Sequence, residues 1–483
     1  MLFNSLDFAI FLPIVFLLYW FLVQKNLKLQ NALIVLASYV FYGWWDWRFL
    51  SLIIISTAVD YLVGQKLRNE DHQSKRKALL LISIIVNLGF LGFFKYYNFF
   101  LENFVDAFSL FGMQINTNSL NIILPVGISF YTFQTLSYTI DVYRKKLEPT
   151  QDFIAFSAFV CFFPQLVAGP IERATNLLPQ FYKKRAFEYQ KAVDGMRQIL
   201  WGLFKKIVIA DNCAQYANQI FNNSADMNGS TLVLGAIFFT FQIYGDFSGY
   251  SDIAIGTSKL FGFNLKQNFA NPYFSRDIAE FWRRWHISLS TWFRDYLYIP
   301  LGGSRVGTWM KVRNIFAIFL VSGFWHGANW TFIIWGALNA IYFLPLLLTN
   351  NNRKNLGVVA EGKLLPSLKE VFQILLTFTL TVLAWIFFRA ENISHAFNIF
   401  DEIFSKSIFN IPYFTNGSES YPTIFLVIIF ILIEWIGRKN KFAIENIGLI
   451  NHSYIRYCIY VIITTIILFM GNFGENSFIY FQF

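Results

Sequence analysis

The sequence predicts an all-α polytopic integral membrane protein, and both its composition and its repeated apolar runs lead to that prediction. Of 483 residues, 55% are hydrophobic and only 14% are Asp, Glu, Lys or Arg, whereas an average soluble domain is about 25% charged. A transmembrane helix needs about 20 mostly apolar residues, and runs near that length recur from one end of the chain to the other. This composition excludes a disordered, a collagen-like or an ordinary cytosolic protein.

The apolar runs follow one another with few long interruptions. They lie at roughly 6–23, 30–46, 48–64, 78–98, 121–140, 153–169, 197–211, 231–250, 314–325, 330–348, 370–388, 422–437 and 454–470. Some are short or carry charge, so we predict about eleven transmembrane helices together with re-entrant or interfacial helices. The first run has neither a basic segment before it nor a cleavage site after it, which predicts a retained span. With no fixed-period repeat, we expect one membrane-embedded domain over 1–483.

The positive charge lies in particular loops. Four loops are rich in Lys and Arg: 24–29, 65–77, 349–369 and 438–441. By contrast, 101–119 contains no Lys or Arg, and 390–421 is acidic. The positive-inside rule then places the basic loops in the cytoplasm and the N-terminus outside. Orientation in the lipid bilayer thus accounts for the net charge of +10, and nucleic acid is not an expected partner.

Two of the five histidines lie in aromatic sequence at membrane depth, namely His286 and His326. His72, His395 and His452 lie in polar connections, where a solvated role is the simpler interpretation. An ionisable group inside a membrane is costly and indicates a functional site, although a core histidine bonded to a carbonyl is the alternative. No spacing of His, Cys or acidic residues predicts a metal site, and the three widely separated cysteines predict no disulfide framework.

His326 ends one apolar run and precedes another that begins at Trp330. Irregular backbone at membrane depth is tolerated only where protein buries it or a wet cavity lies beside it. Gly323 and Gly327 are four residues apart, which favours close helix approach on that face. We therefore predict a functional histidine at a break between two membrane helices. The flanking residues Trp325 and Asn329 are candidate substrate-binding residues.

His286 lies in the aromatic and charged segment 275–296. The spacing of its large apolar side chains predicts one face of an amphipathic helix: Trp282, Trp285, Leu289, Trp292 and Tyr296. Glu280 and Arg284 are predicted to form an i,i+4 ion pair. Such a helix suits either an aromatic anchor at the membrane interface or a polar cavity. Arg284 and Trp285, beside the histidine, are candidate substrate-binding residues.

Two carboxylates, Asp246 and Asp252, follow the apolar run at 231–250 in a segment interrupted by glycine and serine. They are candidates for orienting a catalytic imidazole or binding a donor group, and equally for capping a helix end. A further segment, 163–173, predicts a turn at a membrane surface in which Glu172 and Arg173 are structural. The chain has no P-loop, His-Glu-x-x-His, Gly-x-Ser-x-Gly or Cys-x-x-Cys motif, which argues against a nucleotide-driven pump, a zinc hydrolase and a serine esterase.

Several of these segments resemble signatures of the membrane-bound O-acyltransferase family. The two central ones are Trp282-Arg283-Arg284-Trp285-His286, continuing to Gly303, and Phe324-Trp325-His326-Gly327-Ala328-x-Trp330, the family's invariant-histidine segment. Segments 246–256 and 163–171, together with the opening residues 2–5, are similar to the family's bacterial branch. The resemblance is dense over about 120–340, and 390–483 contains no family motif.

The resemblance implies a fold of membrane helices around a central tunnel, with His326 as the catalytic histidine and His286 as the second polar position. Many eukaryotic relatives have Asn at that second position. It also implies acyl transfer, most simply of acetyl, from a cytoplasmic thioester such as acetyl-CoA, with no bound cofactor. The acceptor would be an extracytoplasmic polysaccharide such as alginate, or alternatively peptidoglycan or a D-alanylated cell-wall polymer. A periplasmic, esterase-like partner of the SGNH type and a location in the bacterial inner membrane follow from the same resemblance.

Other mechanisms and functions remain open at this stage. His326 would act as a general base, or it would carry the acyl group covalently. His286 with Arg284 would orient a reactant or stabilise an oxyanion. A polysaccharide exporter is a rival function, because intramembrane His, Asp and Arg also line transport paths. Exporters usually show internal repeats, however, and none is visible here. A catalytically inactive scaffold is disfavoured because both histidines are present.

Overall fold

The computed structural model describes residues 1–112, 119–167, 169–415, 417–474 and 478–479, and every regular element in these ranges is helical. Ala168, part of the predicted turn at 163–173, lies outside them. The α-helices of the first half are α1 (Leu6–Leu17), α2 (Leu27–Asp46), α3 (Leu50–Arg68), α4 (Gln73–Leu91), α5 (Tyr97–Ser109), α6 (Ile128–Tyr143), α7 (Phe153–Cys161), α8 (Phe163–Leu166), α9 (Ala174–Phe181), α10 (Tyr189–Leu203) and α11 (Asp211–Asn222).

The helices of the second half contain the candidate site. They are α12 (Gly229–Leu260), α13 (Ile278–Arg284), α14 (Ile287–Phe293), α15 (Thr308–His326), α16 (Trp330–Leu348), α17 (Leu368–Arg389), α18 (Ile393–Ile403), α19 (Tyr421–Ile436) and α20 (Ser453–Met470). Short 3-10 and π segments join several of these helices, including a π segment over Phe204–Ala210.

Six helical segments of the described chain are long and apolar enough to cross a membrane: Leu27–Arg68, Gln73–Ser109, Gly229–Leu260, Trp330–Leu348, Leu368–Arg389 and Ser453–Met470. Three shorter apolar segments accompany them: Leu6–Leu22, Phe153–Leu166 and Tyr421–Ile436. These segments agree with the predicted polytopic all-α protein. The figure of about eleven spans stays a prediction.

The internal contacts divide the chain into two compact units. The first comprises Met1–Ala192 with Thr257–Lys266, and the second comprises Val193–Gly256 with Gln267–Phe483. Both histidines predicted to be functional lie in the second unit. The expectation of one membrane-embedded domain over the whole chain stays a prediction.

A buried polar cluster joins three helices of the first unit. The carboxylate of Asp60 in α3 accepts hydrogen bonds from Asn87 in α4 at 2.8 Å and from Thr139 in α6 at 2.8 Å, and Ser83 in α4 also donates to it. A buried polar group is costly unless it is hydrogen-bonded, and here the three donors satisfy one carboxylate. The cluster therefore cross-links α3, α4 and α6 at a position that the apolar pattern does not reveal.

Helices α15 and α16 form a tightly packed hairpin in the second unit. A Cβ atom on Gly323 would lie 2.2 Å from the carbonyl oxygen of Phe332, and one on Gly336 would lie 2.3 Å from that of Phe319. The two backbones are thus in direct contact, as predicted for Gly323, and the second close position is Gly336 and not Gly327. A Cβ on Gly327 would instead meet the aromatic ring of Phe332. This hairpin sets the position of the histidine at its turn.

Candidate active site

His326 lies at the turn of the α15–α16 hairpin. It is the last residue of α15, Gly327 has extended backbone, and α16 begins at Trp330. Asn329 is the N-cap of α16, since its Oδ1 accepts from the backbone N–H of Thr331 at 3.0 Å. Its Nδ2 donates to a backbone carbonyl at 2.7 Å. The predicted break is confirmed, and the contacts of Asn329 are those of a helix cap; its role in substrate binding stays a prediction.

The imidazole of His326 is buried among aromatic rings from three helices. Its centroid lies 4.8 Å from Trp325, 5.1 Å from Trp335 in α16 and 5.2 Å from Phe388 in α17. All three contacts are edge-to-face or nearly so, an arrangement favoured by the ring quadrupole. The histidine is thus held at a fixed place in the second unit rather than at a mobile surface.

His286 lies in a break between two short helices, which corrects the prediction of one continuous amphipathic helix over 275–296. Helix α13 ends at Arg284, α14 begins at Ile287, and His286 has left-handed backbone with φ 43° and ψ 54°. A non-glycine residue with positive φ is uncommon, and such strained positions cluster at functional sites. Trp285 and Leu289 are nevertheless buried, because the apolar spacing reports burial and not backbone continuity.

Asn268 supports this break from a preceding loop. Its backbone carbonyl accepts from the N–H of Ile287 at 2.9 Å. Its side-chain Oδ1 lies 3.1 Å from Nδ1 of His286 and accepts from Oγ of Ser288 at 2.9 Å. Sequence reasoning missed this residue: it lies outside every recognised chemical motif. The available signal was a polar amide in the loop just before the signature segment.

The two histidines lie against the same indole. The ring of Trp325 is 4.8 Å from His326 and 6.1 Å from His286, measured between centroids. The structure therefore brings together both histidines and one of the predicted flanking residues. Trp285 lies in the adjoining aromatic layer, where its ring is 5.2 Å from that of Trp385.

Arg284 is held by protein acceptors. Its Nη2 donates to Glu280 at 2.8 Å and to the carbonyl of Gly357 at 2.9 Å, and its Nη1 donates to the carbonyl of Ala270 at 3.1 Å. The predicted i,i+4 pair with Glu280 is confirmed. These contacts give Arg284 a bracing function beside the histidine, and its predicted contact with a reactant stays a prediction.

Asp246 and Asp252 lie inside the long helix α12, so the expected helix break and the alternative of a cap are both wrong. Asp252 pairs with Lys205 at 2.6 Å, and Asp246 pairs with Lys206 at 2.9 Å. Both pairs are buried. The two lysines were missed because they lie in the apolar run 197–211, part of which forms the π segment Phe204–Ala210. A buried charge needs a partner, and these lysines supply it.

Helix α12 also contacts His286. The ring of Phe247 meets the imidazole edge to face at 4.6 Å, and Oγ of Ser251 accepts from Nδ2 of Asn268 at 3.2 Å. The predicted acidic residues are thus neighbours in sequence of residues that contact the site, and their own partners are lysines. Their binding of a substrate stays a prediction.

The site therefore combines two buried imidazoles, a shared indole and a buried amide. Among the described residues, no group of three or more His, Cys, Asp and Glu side chains is placed to hold a metal ion. Such a site can accept and donate protons and can bind the edges of polar reactants within an aromatic wall. The segment that carries both histidines matches a known family, the membrane-bound O-acyltransferases, over residues 144–388. The chain belongs to the membrane-bound O-acyltransferase family.

Several curated acyltransferases of known name are similar to this chain. The chain is 42% identical to the probable alginate O-acetylase AlgI of Pseudomonas aeruginosa over 407 residues, which covers 84% of this chain and 75% of that protein. It is 37% identical to the peptidoglycan O-acetyltransferase of Helicobacter pylori over 428 residues, covering 83% and 79%. It is 30% identical to the teichoic acid D-alanyltransferase of Bacillus subtilis over 241 residues, covering 46% and 58%.

These similarities confirm the resemblance drawn from the motifs. The protein is an O-acyltransferase and a multi-span membrane protein of the membrane-bound O-acyltransferase family. Both histidines fall within the matched residues 144–388. Family membership also disfavours the exporter and scaffold alternatives.

Proposed function

We propose that this membrane-bound O-acyltransferase moves an acetyl group from a cytoplasmic thioester, such as acetyl-CoA, across the membrane for O-acetylation of an extracytoplasmic exopolysaccharide of the alginate type. Relatives named as alginate O-acetylases, 42% and 41% identical, support the polysaccharide acceptor. The thioester's nucleotide cannot cross lipid, and the polysaccharide lies outside. A tunnel through the membrane domain would let the two reactants meet without moving either across.

In the proposed reaction, the acceptor hydroxyl oxygen bonds to the acyl carbon and the carbon–sulfur bond breaks. His326 removes the hydroxyl proton during attack and returns it to the leaving thiolate. An imidazole, with an unperturbed pKa near 6.5, suits this exchange at neutral pH, and general acid–base catalysis contributes about 10²–10⁴-fold. His286, which also contacts Trp325, orients a reactant. A covalent acyl-histidine is the alternative route.

The observation that supports this proposal is the contact of both histidines with one indole, because two imidazole rings then lie at a single location. We expect His326→Ala to lower acetyl transfer by about 10²-fold or more, measured as thioester consumption by the protein in detergent. His72→Ala is the matched control, since that imidazole is in an exposed loop, and it should leave the rate unchanged. A folded His326→Ala protein with full transfer activity would contradict the assignment.

Peptidoglycan is the second candidate acceptor, because the chain is 37% identical to a peptidoglycan O-acetyltransferase over most of its length. The two acceptors differ in where base-labile acetyl esters accumulate. Comparing these esters on exopolysaccharide and on purified cell wall, with and without this protein, separates them. Acyl transfer to a teichoic acid is the more distant alternative, supported by a match to 46% of this chain.

We also propose a location and a partner protein. We infer that the protein lies in the bacterial inner membrane with its N-terminus outside, as its basic loops predict. The acyl group would pass to a periplasmic, esterase-like SGNH-type protein that delivers it to the glycan, since this chain has no serine-hydrolase motif. Full acetylation of a polysaccharide by the purified protein alone would contradict that relay.

A further inference from the structure

The side-chain amide of Asn268 contacts His286 in a fully buried environment. Both residues are at most 1% exposed. Oδ1 of Asn268 lies 3.1 Å from Nδ1 of His286, 3.2 Å from the backbone nitrogen of Ser288 and 2.9 Å from Oγ of Ser288. Its Nδ2 donates to Oγ of Ser251 in α12 at 3.2 Å. One amide therefore joins the histidine, the start of α14 and the long helix α12.

These neighbours determine which way the amide points. A backbone N–H is always a donor, so the amide atom that faces the nitrogen of Ser288 must be the oxygen. That same oxygen faces Nδ1 of His286, and a carbonyl oxygen only accepts. Nδ1 must therefore carry a proton. Because a neutral imidazole has a single N–H, the lone pair is then on Nε2.

We propose that Asn268 is a positioning residue that fixes His286 as the Nδ1-protonated tautomer, so that Nε2 faces the reactants as a hydrogen-bond acceptor. The inference rests on the proposed function, in which His286 orients a reactant. Burial lowers the pKa of His286 to about 3, which is consistent with a neutral ring. The strained backbone at His286 adds to the argument, since the carbonyl of Asn268 also holds the next N–H.

This tautomer decides between the two roles considered for His286. An oxyanion needs hydrogen-bond donors, whereas an Nε2 lone pair accepts a proton or a hydrogen bond. The structure therefore favours contact with a group that carries a proton. Because His326 takes the single proton of the attacking hydroxyl, His286 would accept a hydrogen bond from another hydroxyl of the acceptor, or from the departing thiol once it has received its proton. Hydrogen-bond donors other than His286 would then stabilise the oxyanion.

The first test reads the tautomer directly. The protein labelled with ¹⁵N-histidine is studied by NMR in detergent, and the His286 signals are identified by their loss in His286→Asn. We expect Nδ1 of His286 to give the shift of a protonated ring nitrogen and Nε2 that of an unprotonated one. In Asn268→Leu, which removes the acceptor at similar size, this preference should be lost. The opposite tautomer in the wild-type protein would overturn the proposal.

The second test reads the consequence for catalysis through the pH profile of kcat. Asn268→Asp keeps the acceptor and should keep the tautomer, but its charge stabilises the imidazolium and so raises the pKa of His286. The neutral form is then lost at higher pH, and the acid limb of the profile moves upward once the pKa of His286 exceeds that of the general base His326. Asn268→Leu should lower kcat by about 10²-fold or more with little change in the KM for the thioester.

A control variant and the activity of the wild-type protein distinguish a failure of the positioning role from a failure of the proposed function. Asn26→Asp makes the same chemical change at an exposed helix cap of the first unit, where the side-chain oxygen accepts from two backbone N–H groups, and should leave the profile unchanged. Wild-type kcat and profile in both Asn268 variants would overturn the positioning role. If the wild-type protein transferred no acyl group at all, the proposed function and the role of Nε2 toward reactants would fail, while the spectra would still report the tautomer.

Discussion

Trp325 is the residue that relates the two histidines of the site. Its buried indole contacts both imidazoles, with its ring centroid 4.8 Å from that of His326 and 6.1 Å from that of His286. In the proposed reaction His326 removes a proton and His286 orients a reactant, and a misplacement of about 1 Å is enough to slow such a reaction strongly. We infer that the indole acts as a spacer that sets the separation of the two imidazoles, a role that composition alone would have assigned to membrane anchoring.

The spacer role predicts a graded effect of substitution at Trp325. Trp325→Phe keeps an aromatic ring beside the imidazoles and should retain part of the activity. Trp325→Ala removes the ring that contacts both and should lower kcat by about 10²-fold or more. Thioester turnover in detergent measures the difference. Trp309→Ala is a matched control in the same helix, because that side chain is 81% exposed, and it should behave like the wild type. Equal activity of the Phe and Ala variants would contradict the spacer role.

Single-residue features were predictable from the sequence where they broke a pattern. His326 was predicted because a titratable residue followed by Gly327 interrupts two apolar runs. Asn268 was not predicted, because its importance lies in three-dimensional contacts with residues that follow it by about twenty positions. Lys205 and Lys206 were hidden for another reason. Their charges are neutralised by α12 carboxylates, and this pairing cannot be read from an apolar run.

Helical periodicity was a better guide to burial than to backbone continuity. The spacing of the tryptophans after residue 280 predicted one helix, yet the chain breaks between α13 and α14. Hydrogen bonds from the loop at Asn268 replace those of a continuous helix at this point. In α12 the reverse occurred: glycine and serine predicted a break, but the helix continues through Asp246 and Asp252. Tertiary packing overrode local propensity in both cases.

Backbone contact between α15 and α16 predicts that Gly323 cannot carry a side chain without cost. A Cβ there would lie 2.2 Å from the carbonyl of Phe332, so Gly323→Ala must move one helix and with it His326. Overpacking of this kind typically costs about 1–3 kcal/mol. We expect a lower midpoint of thermal unfolding in detergent and a reduced rate of acetyl transfer.

Gly307, the N-cap of the same helix, offers the control for this prediction. It precedes α15, its φ is −60°, and no atom lies within 4 Å of its hypothetical Cβ. Gly307→Ala should therefore leave both the unfolding midpoint and the transfer rate unchanged. Comparable losses in the two variants would mean that the glycine contact does not position the hairpin.

At the scale of the whole molecule, the few charged residues have two separate roles. Some charged side chains are buried in pairs, such as Arg284 with Glu280 and Lys205 with Asp252. The remaining excess of Lys and Arg lies largely in particular loops, and these loops predict orientation. Composition therefore predicted the class of protein and its topology. The position of the active site needed the histidine motifs and the structure.

The orientation is testable by labelling cysteines from outside the cell. In a background lacking the exposed Cys458, with Cys161 and Cys213 buried, a single cysteine is placed at one of two exposed positions, His72→Cys or Phe409→Cys. Position 72 lies in a basic loop and position 409 in the acidic segment 390–421. The positive-inside rule therefore predicts that a membrane-impermeant maleimide labels position 409 in spheroplasts and position 72 only after permeabilisation. The background that lacks Cys458 should take up no label under either condition, because its remaining cysteines are buried. Labelling of position 72 in intact spheroplasts would reverse the orientation of that loop, and the thioester would then have to approach from the opposite face.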